Sequence, residues 1–301
     1  MRFNRISLDG IHRRIDAACL ILLGNLEMLA LVFPGRVLHA GTIGPTLFAV
    51  GTLFYVGARI IRQIPDGFLF TALQAARVIG LFSFLDNAMK DFQLILTGGW
   101  MDKVPLSMER AIFGTEISVL VHNIANPYLT EGLMFSYVAY APLLLAVAVL
   151  CYSSKGSKAA GQYLLNLSVT FALCFLGFML FPLASPTFRH SHALTVPLDG
   201  GLFTWCANWI HTHYHYPGGS LPSPHCAGTT IMLVMLYRYN RRAFYVLLPT
   251  LAGVYFATVY GQFHYMWDGI AGITVALGAV RLTPALCRLG NTGRRAVIRG
   301  F

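Results

Sequence analysis

Two histidines, His225 and His264, stand where polar stretches meet long apolar ones. His264 is followed four residues later by Asp268, in His264-Tyr265-Met266-Trp267-Asp268. On a helix that spacing puts both side chains on one face. A carboxylate there fixes the imidazole tautomer, stabilises the charged ring and leaves the far nitrogen free to attack. His225 follows Ser223 and Pro224, which read as a helix start: serine is a good N-cap and proline suits the first helical position. The free amides of such a start favour an anion. Together these residues describe phosphoryl transfer through a phosphohistidine. Taken singly, an interfacial histidine or a structural His–Asp hydrogen bond explains each half. Two such motifs on consecutive hairpin segments form the stronger signal.

The elements that must position them are membrane spans. The chain has 301 residues, 56% hydrophobic and 11% charged, where a soluble domain carries about 25% charged residues. The formal net charge of +10 reads as positive cytoplasmic loops. No aromatic–basic motif for nucleic acid is present. Runs long enough to cross a bilayer fall near Ile15–Phe33, Gly44–Ile61, Phe68–Leu85, Leu133–Tyr152, Tyr163–Phe181, His225–Tyr239, Ala243–Tyr260 and His264–Leu282. The third is interrupted by Gln74 and Arg77, and lying flat on the membrane is its alternative. Glu27, Gln74 and Arg77 are expected to pair with each other across helices.

Loop charges set the orientation. Lys155 and Lys158 share one short loop, Arg238, Arg241 and Arg242 another, and Arg288, Arg294, Arg295 and Arg299 the C-terminus. All three are expected in the cytoplasm, with the basic N-terminus (Arg2, Arg5, Arg13, Arg14) acting as a signal anchor. An odd number of spans then precedes Leu133, which gives about eight in total, with six as the alternative. The segment from Pro182 to Pro222 falls outside, and so do His225 and His264. The fold class is all-α, a polytopic transmembrane helix bundle forming one integral membrane domain over 1–301. Within it, 1–132 supplies N-terminal spans and an interfacial helix, and 133–286 the catalytic core.

That interfacial helix is expected between Pro105 and Asn126-Pro127. Phe113, Ile117, Leu120, Val121 and Ile124 form its apolar stripe, with Thr115, Ser118, His122 and Asn126 facing away. Its alternative role is a substrate gate. Six cysteines are present, and Cys206 and Cys226 flank the site; they read as free thiols, with a disulfide as the alternative. His211, His213 and His215 would share one side of an extended strand. With no further ligand evident, they read as a polar outer loop and not as a metal site. Trp205, Trp209, Tyr214 and Tyr216 read as interfacial anchors for that loop, or as a platform for a sugar or inositol ring.

Pro222-Ser223-Pro224-His225 resembles the Pro-Ser-x-His motif of the type-2 phosphatidic acid phosphatase superfamily, and His264-Tyr265-Met266-Trp267-Asp268 its His-x-x-x-Asp. The resemblance covers Leu133 onward. It implies that His264 is the nucleophile, that Asp268 orients it and that His225 protonates the leaving oxygen. Two departures are visible. Ala257-Thr258 stands where the phosphatases carry Ser-Arg, and Phe181-Pro182-Leu183-Ala184-Ser185-Pro186-Thr187-Phe188-Arg189 replaces their Lys-x6-Arg-Pro motif. Both are similar to the inositol phosphorylceramide synthase-like branch.

Arg189 is the natural clamp for the phosphate, because a guanidinium binds two oxygens at once; an interfacial contact with headgroups is its alternative role. Ser223, Thr258 and Tyr260 complete the expected substrate-binding set. Gly253, Ala257, Gly269 and Gly272 permit close helix approach. The expected activity is transfer of a phosphoryl or phospho-headgroup group from a lipid donor to a lipid hydroxyl, without metal or other cofactor. The alternatives are a lipid phosphate phosphatase using water, and a non-catalytic transporter or scaffold. Membrane lipids are the expected partners, with no nucleic acid.

Overall fold

The computed structural model describes residues 7–189 and 198–298, with side chains throughout except at Ser118, His122 and 285–298. Arg2, Arg5 and Arg299, and the side chains of Ser118, His122, Cys287, Arg288, Arg294 and Arg295, lie outside the described residues. Among the described residues every regular element is helical. The order is α1 (Leu8–Val32), α2 (Ala40–Ile61), α3 (Phe68–Ala88), a 3-10 turn (Met89–Asp91), α4 (Lys103–Phe113), α5 (Ile117–Ile124), α6 (Pro127–Leu180), α7 (Pro186–Arg189), α8 (Leu202–Tyr214), α9 (Pro224–Tyr239), α10 (Arg241–Tyr260) and α11 (Met266–Ile298).

Local chemistry sets the helix starts. Asn126 accepts a hydrogen bond from the Leu129 amide and Pro127 opens α6, while Asn240 accepts from the Ala243 amide at the head of α10. α6 is two arms rather than one rod. Lys155 (φ −144°) and Gly156 (φ 71°) leave helical geometry, and the second arm folds back so that the Tyr163 hydroxyl donates to the Leu144 carbonyl at 3.0 Å. The chain thus has a helical segment at each of the eight expected spans. Among the described residues five helices, the two-armed α6 among them, are long and apolar enough to cross a membrane. α9 has only 16 residues, about 24 Å at 1.5 Å per residue. It is enclosed by α6, α10 and α11, so it needs no full-length lipid-facing surface.

α3 is not a surface helix. Its Val78 and Leu85 are fully buried, and it packs against α6 and α2. Its polar residues pair, but not as expected. Arg77 Nη2 donates to Asp16 Oδ1 at 2.6 Å, and its Nε and Nη2 reach Gln74 Oε1 at 3.0 and 2.7 Å. Its guanidinium carbon lies 4.0 Å above the Phe54 ring. Asp16 also accepts from Arg62. The anionic partner is therefore Asp16, and Glu27 takes no part in these contacts. Asp16 is the second residue of the first expected span, and the pairing expected among Glu27, Gln74 and Arg77 does not include it.

The basic connectors meet at one end. Ser157 donates to Asp66, Tyr239 to Gln162, and Asn240 Nδ2 to the Leu150 carbonyl at 3.4 Å. Arg62, Lys155, Lys158, Arg238, Arg241 and Arg242 gather there, away from the end that holds His225 and His264.

The expected single helix over 105–126 is broken. Gly114, at φ 73°, ends α4, and α5 restarts at Ile117. Its stripe is only partly covered: Val121 is buried, while Leu120 and Ile124 are exposed. The 211–215 segment is not extended either. α8 runs through Tyr214, held at its start by Glu131, which accepts from the amides of Gly201, Phe203 and Thr204 at 2.8, 2.7 and 3.0 Å. On a helix His211 and His215 share a face, whereas His213 turns outward onto Trp209. Trp205, Trp209 and Tyr214 are exposed.

Candidate active site

α11 starts at Met266, so His264 lies just outside the helix and not on its face as the spacing suggested. The two side chains still meet, by a capping contact. Asp268 is the third residue of the helix, and its Oδ2 accepts from the Tyr265 amide at 2.9 Å. The same oxygen is 3.4 Å from His264 Nδ1. Ser220 sits between them. Its hydroxyl donates to Asp268 Oδ2 and lies 3.3 Å from His264 Nδ1. Because the hydroxyl proton goes to the carboxylate, the oxygen is left to accept from Nδ1–H. That assigns the proton to Nδ1 and leaves the lone pair on Nε2. His264 is 4% exposed and Asp268 0%, so water competes little for these bonds.

His225 enters from α9. Ser223 is the N-cap: its hydroxyl accepts from the Cys226 amide at 3.3 Å, and Pro224 follows. The imidazole stacks on Tyr137 (5.2 Å between centroids) and tilts against Tyr140 (4.7 Å), whose hydroxyl donates to the Pro224 carbonyl at 3.0 Å. Its Nδ1 faces His264 Nε2 at 3.5 Å. The two histidines, 39 residues apart, thus turn ring nitrogens toward one point.

Long-range contacts hold the two motifs in register. The Ser223 amide donates to the Asp268 carbonyl at 2.9 Å. A Cβ on Gly272 would lie 2.4 Å from the Ser223 carbonyl oxygen, so α9 and α11 approach as only glycine allows. Gly218 (φ 118°) and Gly219 (φ 61°) turn the chain into Ser220. Gln93 clamps that turn, accepting from the Gly219 amide at 2.6 Å and donating to the Pro217 carbonyl at 3.1 Å. Buried Asp102 accepts from the Ala184 amide (3.1 Å) and the Tyr265 hydroxyl (2.8 Å). Glu109 accepts from the amides of Ile117 (3.1 Å) and Met266 (3.4 Å), and burial raises its carboxyl above the usual carboxylate range. Sequence reasoning missed Ser220, Gln93, Asp102 and Glu109. Three of them lie before residue 133, so both sides of that division support the site.

The expected substrate-binding residues separate. Ser223 is fully buried as a cap. The Thr258 hydroxyl turns away, donating to the Tyr255 carbonyl at 2.9 Å and lying 3.6 Å from Cys226 Sγ. Its carbonyl, however, accepts from the amides of Phe263 and His264, each at 3.0 Å. The Tyr260 hydroxyl pairs with Thr130 at 2.6 Å, in an apolar cluster with Val121 and Tyr137. Arg189 ends the short α7, which Thr187 anchors to the Gln262 carbonyl at 2.7 Å. Its side chain is exposed. Cys206 and Cys226 are free thiols. Among the described residues no cluster of three or more His, Cys, Asp or Glu is placed to hold a metal ion.

Beside His264 a cavity of about 10 Å³ is lined by Glu109, Ile117, Pro186, Val259, Gln262 and Tyr265. That is room for about one water, so a phosphoryl group needs movement of the covering segments. Next to it an apolar groove of about 550 Å³ runs between α5, α6, α10 and α11, past Val121, Leu133, Cys226, Tyr260, Met266 and Gly269.

Among the described residues, then, an all-helical bundle of membrane-length apolar helices carries two facing histidines, one backed by a buried carboxylate. The family model of the PAP2 superfamily matches residues 106–282, more than half of the chain. The chain belongs to the PAP2 superfamily, which ties it in general to lipid phosphatase or phosphotransferase function. No curated protein and no solved structure matches it.

Proposed function

We propose that the protein transfers a phosphoryl or phospho-headgroup group from a lipid donor to a lipid hydroxyl, in the manner of the inositol phosphorylceramide synthase-like branch. His264 Nε2 attacks phosphorus in line, and the bond to the leaving oxygen breaks. His225 gives that oxygen its proton. The acceptor hydroxyl then returns a proton to His225 as its oxygen takes the phosphorus, the N–P bond breaks, and both imidazoles are restored. His225 enters the first step as imidazolium, a state that an incoming phosphate anion favours. Asp268 and Ser220 hold the His264 tautomer and stabilise its charge as the N–P bond forms. Arg189 closes on the phosphate oxygens.

The observation that carries this reading is the 3.5 Å approach of His264 Nε2 to His225 Nδ1 with the opposite nitrogen of His264 tied to Ser220 and Asp268. Gathering of the basic connectors at the other end supports placing the site on the extracytoplasmic face and the C-terminus in the cytoplasm. The apolar groove beside the histidines favours a long-chain acceptor over water. The test is mass spectrometry of lipid products from purified protein in nanodiscs of mixed lipid. Wild type is expected to consume a phospholipid donor and His264→Ala to be inactive. Undiminished turnover in a folded His264→Ala protein overturns the mechanism, and free phosphate as the sole second product favours the phosphatase alternative.

A further inference from the structure

α8 brings two more imidazoles to the wall of the site. His211 and His215 stack at 4.3 Å. Phe188 lies parallel to His215 at 5.2 Å, and Phe263 lies 5.3 Å from His211. Phe263 directly precedes His264 and also meets Tyr137, on which His225 stacks. A continuous run of rings thus links the facing histidines to α7 and α8.

Packing alone does not ask for histidine here, since phenylalanine would fill the stack. Histidine adds a cost. The Nε2 atoms of both His211 and His215 are buried, and among the described residues neither has a hydrogen-bond partner. A buried polar atom without a partner is destabilising and calls for a specific explanation. Both rings are neutral: burial drives His215 down to about 2 and lowers His211 as well. A neutral ring nitrogen either donates or accepts, according to tautomer. An ionised phosphate oxygen only accepts and an ammonium only donates, so each fits one tautomer. A hydroxyl does both and fits either. Two such nitrogens side by side suit an alcohol, and their neutrality leaves the phosphate itself to charged groups.

We propose that His211 and His215 form the subsite for the alcohol side of the transfer, receiving a neutral hydroxyl-bearing lipid head. This rests on the phosphotransfer reading of His264 and names its substrate chemistry. The hydroxyl belongs either to the donor's headgroup or to the acceptor alcohol.

The test reads binding without turnover. Delipidated His264→Ala protein is offered equal amounts of phosphatidylglycerol, diacylglycerol and phosphatidic acid with the same acyl chains, and native mass spectrometry measures what is retained. Adding His211→Phe or His215→Phe, which keeps the ring stack, is expected to lower retention of the hydroxylated lipid about tenfold relative to phosphatidic acid, the scale of one lost neutral hydrogen bond. Loss confined to phosphatidylglycerol assigns the donor headgroup, and loss confined to diacylglycerol assigns the acceptor. His215→Gln, which keeps a donor and an acceptor, is expected to retain the preference. Unchanged ratios, or equal loss of all three lipids, overturn the proposal and leave water as the partner of the two nitrogens. Should the Phe variants aggregate, diethylpyrocarbonate labelling of the His264→Ala protein decides. Phosphatidylglycerol or diacylglycerol must then protect His211 and His215 more than phosphatidic acid does, and equal protection overturns the proposal. Wild-type turnover, measured separately, tests the underlying reading: its absence rejects phosphotransfer without touching the binding result.

Discussion

Two polar clusters lie inside this apolar bundle, and they use charge in opposite ways. Around Asp16, one carboxylate takes two guanidiniums, and Arg77 spends its donors on Asp16, Gln74 and the Phe54 carbonyl. Around His264, one carboxylate meets an imidazole and a serine, and a ring nitrogen is left facing a second imidazole. The first cluster pairs its carboxylate with both guanidiniums and pins α1, α2 and α3 together. The second keeps bonding capacity in reserve. Burial of polar groups is common to both, and the first also leaves the His12 ring nitrogens, Arg62 Nε and Gln74 Nε2 without partners among the described residues, so neither burial nor unspent capacity alone marks a reactive site; two ring nitrogens turned toward one point do.

The contrast can be broken by substitution. The largest effect is expected for Asp268→Asn, which keeps the shape but loses the charge that orients His264: turnover should fall by about 10³–10⁴-fold, with thermal stability in detergent close to wild type. Unaltered turnover would place Asp268 with the helix cap alone. Asp16→Asn should do the reverse, leaving the buried Arg77 guanidinium and the part-buried Arg62 guanidinium without their anion. A loss of about 3–5 kcal/mol is expected, seen in urea or thermal unfolding, while the surviving folded fraction keeps its specific activity. A matching loss of turnover per folded molecule would join the two clusters into one functional unit.

Arg189 tests how much charge the site imports from an exposed side chain. A bidentate clamp predicts that Arg189→Lys lowers kcat/KM by about tenfold or more, because lysine keeps the charge but not the fork. Donors differing only in acyl chain should suffer equally. Near wild-type turnover in Arg189→Gln would remove it from the site and leave backbone amides to hold the phosphate.

The smallest effect concerns pH. His215 is held neutral, with its value lowered from 6.5 to about 2. Below about 6.5 the unfolded chain takes up a proton there that the folded chain refuses, so stability falls as pH drops from that point toward 2. His215→Phe should lose this contribution, narrowing the gap between melting temperatures at pH 7.5 and pH 5. An unchanged gap would mean that the ring is already hydrated and protonates freely.

Much of this architecture is legible in the sequence because it is local. Apolar runs place all eight helical segments, Ser223-Pro224 announces the start of α9, and the charges of the connectors agree with their common end. What the sequence hides depends on packing across distance. Nothing in Gly218-Gly219-Ser220 says that Ser220 will bridge His264 and Asp268, and nothing near Gln93, Asp102 or Glu109 says that each will brace a loop around the site. Spacing misleads at His264: the i,i+4 rule assumes a helix, whereas the contact survives because a residue in the first turn reaches back to the chain entering it. It is silent at His211–His215, which read as a polar outer loop, because nothing local says that the Glu131 carboxylate will start a helix there. The partner of Arg77 was missed because nothing local to Asp16, at the start of the first span, says which distant helix will face it.

The missing side chain at Gly272 has a mechanical meaning. With the Ser223 carbonyl resting against the bare backbone of α11, and its amide bonded to the Asp268 carbonyl, the two histidine-bearing segments form a seam with no slack. The backbones that carry His225 and His264 thus keep a set spacing, while their rings, 3.5 Å apart, must part to admit a phosphoryl group between them. Beyond the two rings, the compliance that admits a phosphate lies in α4, α5 and α7, whose Glu109, Ile117 and Pro186 line the cavity beside His264.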